Sequence, residues 1–489
     1  MDRRQFLKGS ATATAIRSGL TCFGTPVVAS SKMPFALAGE SPYGPLASQP
    51  DDNGILLPEG FTSRIVAISG TAPIASSTSW HAFPDGGATF DDGNGGWYYV
   101  SNSEVFPNTK PDAGSVSSLH FDSDGQPLNA IRILEGSNSN CAGGPTPWGT
   151  WLSCEENPDG LGRVWECDPT GTRPPVAHPA MGLWRREAVA VDPVDQIIYM
   201  TEDHPDGRLY RFLPDDYPDL SKGSVEVCVV NSDNTVTWLP ISDPSGSSTP
   251  TNQQVLESTN FPGNEGIWFH SGWVYFCTKH DHSVHGINLR EMTYQLIWQG
   301  RPDELGVEGA VLSGVDNITV HEVTGDLFVA EDGGNMELVI ITSDGVVAPF
   351  LRILNQDDSE VTGPAFSPDG TRLYLSSQRG PTSSTLGSVL GTDSDSTHIG
   401  ITYEISGPFN RFGSSEASAM VEDPTTSLAP TTIAPTTTLS TLPTQKVSDV
   451  DVANGSSNTK VAIGGTVLAA ALGALVAWRS RNADEPSLD

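Results

Sequence analysis

Hydrophobic and polar positions alternate in short runs along most of the chain, and the runs come in pairs. Glu187-Ala-Val-Ala-Val-Asp192 is followed by Ile197-Ile-Tyr-Met-Thr-Glu202-Asp203, and Glu265-Gly-Ile-Trp-Phe269 by Trp273-Val-Tyr-Phe-Cys-Thr-Lys279-His280. Asp316-Asn-Ile-Thr-Val320 leads to Asp326-Leu-Phe-Val-Ala-Glu331-Asp332, and Gly363-Pro-Ala-Phe366 to Arg372-Leu-Tyr-Leu-Ser-Ser-Gln378-Arg379. The segment from Asn140-Cys141 to Cys154-Glu155-Glu156 has the same form, and a looser copy runs from Asp85-Gly-Gly-Ala-Thr-Phe90 to Trp97-Tyr-Tyr-Val-Ser-Asn102-Ser-Glu104. Runs rich in Val, Ile, Tyr, Phe and Trp and bounded by Gly, Pro, Asp and Asn predict strands joined by polar turns. In five of the six copies fifteen residues separate corresponding positions: 141 to 156, 187 to 202, 265 to 280, 316 to 331 and 363 to 378. A β unit recurring roughly every 40–80 residues predicts an all-β fold, a six-bladed β-propeller.

The first strand of a propeller blade lines the central channel. Asp85, Cys141, Glu187, Glu265 and Asp316 all stand at such strand starts, so they are expected to ring one mouth of the channel. A strand before a turn begins at the edge where the strand after it ends, which puts Cys141 and Glu156 on one rim. Any one of these acids alone reads as an ordinary turn carboxylate. Four carboxylates and a thiol in register across a repeat read differently, because converging carboxylates repel and need protons or cations to neutralise them. The pattern points to metal.

Composition narrows the picture. The chain has 489 residues with 50 Gly and 37 Pro, enough for one large β domain with appendages. A net charge of −33 excludes a nucleic-acid binder, which needs Lys and Arg against phosphate. At the start, Arg3-Arg4-Gln-Phe6-Leu7-Lys8 resembles a twin-arginine export signal, expected over residues 1–29 with a small-residue cleavage site at Val27-Val28-Ala29. Cys22 is a weaker lipoprotein signal, since Thr21 before it is unfavourable. Without Cys22 five cysteines remain, and an odd number leaves at least one thiol free. Cys154 and Cys167 flank a turn, either as a cross-strand disulfide or as two small buried side chains. Cys141, among glycines at a strand start, is the candidate functional thiolate.

Beyond the propeller, expected over residues 40–412, the chain turns rich in Ser, Thr and Pro. Residues 413–460 read as an extended tether. Val461 to Trp478 carries no charge, and as a helix it spans about 27 Å, enough for a bilayer. Arg479 and Arg481 follow in a tail over residues 479–489, which the positive-inside rule places in the cytoplasm, with the propeller outside.

These motifs resemble the PhoX-type alkaline phosphatase family, which is exported by the twin-arginine route. The resemblance rests on Asp85-Gly86 with Asn102-Ser103-Glu104, on the long Asn140 to Glu156 segment, on His178-Pro-Ala-Met-Gly182 with Glu187 to Asp192, and on Tyr199-Met-Thr-Glu202-Asp203 with Tyr210-Arg-Phe212. It covers roughly residues 40–410. It implies a six-bladed propeller holding iron and calcium in the channel and hydrolysing small phosphorylated substrates. Cys141 is then similar to the iron-ligating thiolate, and Glu156, with Glu155 beside it, Glu187, Glu265 and Asp316 to the carboxylate ligands. The chain departs from the family at Gly263-Asn264-Glu265, where an Arg-Pro-Glu run is expected whose arginine would hold phosphate. Arg379 is the candidate replacement, with Lys279 and His280 on the same rim by the fifteen-residue register. Two other functions fit the pattern: a calcium-stabilised surface propeller that binds a ligand or partner without catalysis, and a calcium lactonase or esterase. The Cys141 segment has no role in the latter.

Overall fold

The computed structural model describes residues 32–75, 77–301, 311–332 and 335–410. They form six sheets, antiparallel but for one short parallel pair, and the innermost strands of neighbouring sheets pack side by side around a common axis. The expected six-bladed propeller is the fold. Its inner strands are Pro84–Asp91, Asn140–Pro145, Arg186–Asp192, Asn264–His270, Val315–His321 and Val361–Phe366, which define blades one to six.

The ring is closed by exchange between the chain's ends. Thr62–Ile68, which precedes every inner strand, pairs with Ile401–Ser406 as the outermost strand of blade six. Upstream, Leu37–Ala38 adds in parallel to Val346–Ile353 at the edge of blade five.

The core lies between blades. Between blades five and six Phe61, Phe328, Phe350 and Phe409 pack with centroids 5.0–6.3 Å apart, edge to face in all these pairs but the tilted Phe350–Phe409, and each ring so buried is worth about 1.5–3 kcal/mol. Blades six and one are tied by Trp97 Nε1 donating to Tyr374 Oη at 3.0 Å, and blades one and two by Trp151 Nε1 donating to Asn102 Oδ1 at 2.8 Å.

Every inner strand breaks register with its neighbour at the same place. The ladders skip residues 85–86, 141–142, 187–188, 265–266, 316–317 and 363–364, each pair opposing a single residue of the second strand. A β-bulge of this kind re-aims a side chain. Here it is repeated around the ring, and it turns the first residue of each pair toward the axis. The second residue is small or compact in all six blades, because the inner strands converge there: a Cβ on Gly86 would lie 2.4 Å from Ala142 Cα, and one on Gly266 2.8 Å from Asn317 Cα.

Among the described residues no helix is long and apolar enough to cross a membrane. The export signal, Cys22, the tether, the 461–478 helix and the tail fall outside the described residues. Cys141, Cys154, Cys167, Cys228 and Cys277 are all free thiols. The Cys154–Cys167 disulfide does not form: Cys154 faces Val164 on the ladder and Cys167 faces Trp151, three pairs away.

Candidate metal centre

The bulges of blades one to five deliver Asp85, Cys141, Glu187, Glu265 and Asp316, and all five are buried at the channel mouth. Blade six delivers Gly363, whose φ is +59° and whose missing Cβ would lie 2.6 Å from the Asp85 carbonyl oxygen. The sixth position is thus filled by backbone and carries no ligand.

A second ring sits beside the first. In each blade it is the residue just past the last ladder partner of the second strand: Glu104, Glu156, Asp203, Lys279, Asp332 and Gln378. The ladder corrects the fifteen-residue register here. The connections between first and second strands differ by a residue or more, so the rim position is Asp203 rather than Glu202, Lys279 rather than His280 and Asp332 rather than Glu331.

The two rings merge into overlapping clusters whose ligand atoms lie within 4.8 Å of one another: Asp85, Glu104 and Cys141; Cys141, Glu156 and Glu187; Glu187, Glu265 and Asp316; Asp316, Asp332 and Glu360. The structure therefore brings together Cys141, Glu156, Glu187, Glu265 and Asp316. It does not bring in Glu155, which accepts backbone N–H groups from Asn138 at 3.2 Å and Arg163 at 3.1 Å. Successive strand residues face opposite ways, so only one of two adjacent glutamates can turn inward.

Among the described residues three cations face these acids. Lys279 Nζ lies 3.2 Å from Glu265, 3.2 Å from Asp316 and 3.1 Å from Asp332. Arg185 donates through Nε to Glu156 at 2.6 Å and reaches Asp203 at 2.9 Å, and Arg379 lies 3.0 Å from Glu360. Gln378 Nε2 donates to Asp85 at 2.6 Å and to Glu104 at 2.9 Å. Asp85, Glu104, Glu156, Glu187, Asp203, Glu265, Asp316, Asp332 and Glu360 thus outnumber Arg185, Lys279 and Arg379 by nine to three.

The excess shows in the electrostatics. Burial, then Glu265 and Asp316, push the Glu187 carboxyl well above the usual range. Burial and the neighbouring Asp85 and Glu187 do the same to the Cys141 thiol. Burial and Asp203 raise Glu156 to about 7 against the pull of Arg185. Glu187 is the sharpest case: fully buried, with neither carboxylate oxygen hydrogen-bonded to any group. A buried carboxylate without partners is costly unless a cation or proton supplies what is missing. The donor set fits metal. Thiol-containing clusters at Cys141 suit a borderline transition metal, and the oxygen-only cluster around Asp316 suits a hard cation such as calcium.

Sequence reasoning did not single out Glu104, Asp332 and Glu360, which join the clusters, nor Asp203 and Arg185, which pair on the rim. All but Glu360 and Arg185 share one signal, their place after the second strand's last ladder partner. Gly263, where an arginine was expected, has φ +63°, and a Cβ there would lie 3.0 Å from the His280 ring. An arginine does not fit this backbone without moving His280. Arg379 does reach the rim, with a side chain 38% exposed beside Arg185 at 33% and Lys279 at 28%. Asp332, at 32%, is as open to solvent as these three, while Glu265, Asp316 and Glu360 lie deeper at 2%, 7% and 8%.

The sequence profile of the alkaline phosphatase PhoX family matches residues 109–293, which bears out the resemblance read from the sequence. The structure of Pseudomonas fluorescens PhoX in complex with vanadate, a transition-state analogue, is similar at a TM-score of 0.56 and 16% identity, over 74% of this chain and 97% of that one. A putative gluconolactonase gives 0.39 at 16% identity over 74% and 98%, and a luciferin-regenerating enzyme 0.39 at 13% over 71% and 96%. These two are too distant to bear on the chemistry. A search of curated proteins returns no match.

Proposed function

We propose that this protein is an exported, membrane-anchored, metal-dependent phosphomonoesterase whose centre is the double acidic ring. The observation that carries the reading is Glu187, a fully buried carboxyl with two unpartnered oxygens where a thiol and further carboxyls converge. The match of residues 109–293 to a phosphatase family supports the choice of reaction.

Cys141, Glu156 and Glu187 are the proposed iron ligands, and Glu265, Asp316, Asp332 and Glu360 the proposed calcium ligands. Bound there, the two metals would supply the positive charge that neutralises a transferring phosphoryl group. The protein's own cations do the rest. Arg185 and Arg379 are forked donors suited to two phosphate oxygens at once, and Lys279 adds a point charge. Each now leans on a carboxylate of the centre, so the rim keeps its geometry before substrate arrives. The raised carboxyls bind protons in competition with cations, so metal affinity and activity rise from acid toward alkaline pH.

The export signal, the 413–460 tether and the 461–478 helix put this centre outside the cell in our reading. Protease added to intact cells should release the propeller by cutting the tether, and a fully protected propeller would refute the orientation. The chemistry is tested by metal analysis and aryl phosphate hydrolysis, with vanadate as inhibitor. Cys141→Ser should lose iron and activity while staying folded, because a hydroxyl replaces a thiolate ligand poorly. Wild type loaded with iron and calcium that turns over no phosphomonoester between neutral and alkaline pH would refute the enzyme and favour a binding propeller.

A further inference from the structure

Blade six puts no acid in either ring. Gly363 stands in the first, and in the second, where the other blades place Glu104, Glu156, Asp203, Lys279 and Asp332, it places Gln378. Gln378 is buried, and its Nε2 donates to Asp85 Oδ2 at 2.6 Å and to Glu104 Oε2 at 2.9 Å. A primary amide nitrogen carries two hydrogens, so one serves each carboxylate. The reversed amide would set its oxygen against two acceptors, so the carboxylates fix its orientation.

Asp85 is held at both oxygens. Oδ1 accepts the Gly86 N–H at 2.7 Å, and Oδ2, which Gln378 holds, also accepts the Cys141 thiol at 3.8 Å. Amide, carboxylate and sulfur thus form a chain from blade six through blade one to blade two. Without the amide, the Asp85 and Glu104 carboxylates, whose oxygens lie within 4.8 Å of each other, would repel with no shared donor to hold them beside the sulfur. The cluster proposed for calcium is held by other groups: Glu265, Asp316 and Asp332 by Lys279, and Glu360 by Arg379. We infer that Gln378 is a positioning residue for the thiolate, whose amide aims Asp85 at Cys141 and so sets the affinity of this corner for iron while leaving the calcium cluster alone. The inference rests on the metal reading of the centre.

The test loads the full chain with iron and calcium. It reads iron affinity by competition with a chelator, the sulfur-to-iron charge-transfer absorption, and calcium content by metal analysis. Gln378→Met keeps the side chain's length and removes both hydrogen bonds, while the main chain stays tied by the Gln378 N–H donating to the Glu360 carbonyl at 3.1 Å. It should lower iron affinity about 10–100-fold, the usual effect of losing a partner that orients a metal ligand, and shift the absorption band, with calcium content unchanged. Gln378→Asn is the second variant should Gln378→Met fail to fold: it keeps an amide but draws it back by one methylene, about 1.5 Å, and should give the same iron-selective loss. Because Gln378 acts through Asp85, its effect should shrink to about twofold or less in an Asp85→Asn background. Unchanged iron affinity in the Gln378 variants, iron and calcium lost together, or losses that add in the Asp85→Asn background would overturn the inference and leave the metal centre standing. A wild type that binds no iron would remove the metal reading and this inference with it.

Discussion

Replacing Glu187 by glutamine separates a metal ligand from a structural carboxylate. In the metal-free protein Glu187 is buried without a partner, and burial with Glu265 and Asp316 holds its carboxyl well above the ordinary 4.5. The folded state therefore holds its proton to higher pH than the unfolded chain does. Stability from this group falls as pH rises above 4.5, by up to about 1.4 kcal/mol per pH unit until the folded carboxyl ionises. Glutamine has the same size, no charge and no proton to hold. Glu187→Gln should stabilise the metal-free protein at pH 7 by about 1–3 kcal/mol, the scale of an unsatisfied buried polar group. In a domain of this size that raises Tm by about 1–6 °C. Metal reverses the order. A cation at a hundred times its Kd adds about 2.7 kcal/mol to the wild type, and the variant gains less because one charge is missing from the site. Scanning calorimetry in chelator and in iron plus calcium, at pH 7 and again near pH 4.5, reads both arms. The variant should melt above wild type in chelator, below it in metal, and level with it in chelator near pH 4.5. A variant that melts lower than wild type under every condition would refute the argument and make Glu187 a structural residue.

Arg379→Ala should raise KM for phosphomonoesters about tenfold or more with metal content unchanged, since the guanidinium meets substrate rather than metal; steady-state kinetics with metal analysis checks it. Lys279→Met leaves Glu265, Asp316 and Asp332 without their shared cation. It should destabilise the metal-free protein by about 3 kcal/mol or more, with calcium restoring most of the loss, as denaturant melts with and without calcium will show. Away from the centre, His178, Trp148 and Thr150 hold Glu166 down to about 2 although burial alone pushes it up. That stability is present above the ordinary 4.5 and is lost as pH falls through about 2. Glu166→Gln should therefore cost about 1–2 kcal/mol at pH 7 and nothing near pH 2, read from urea midpoints across that range.

The alternation of apolar and polar residues determined a great deal by itself. It set the six paired units and therefore the six blades, because strand period and turn residues act locally and recur. The same repeat pointed to Asp85, Cys141, Glu187, Glu265 and Asp316, which open the first strand of each unit. Spacing then failed where chain length and ladder position part company. Connections of unequal length put Lys279, Asp203 and Asp332 on the rim in place of His280, Glu202 and Glu331, since hydrogen-bond pairing and not residue count decides which side chain ends a strand. Adjacent glutamates at 155 and 156 are indistinguishable in composition, yet the pleat turns one to backbone amides and the other to the channel. Glu360 and Arg185 come from connections between blades. Closure of the ring brings these segments together, and closure is a long-range property of the packed sheets that no local pattern carries.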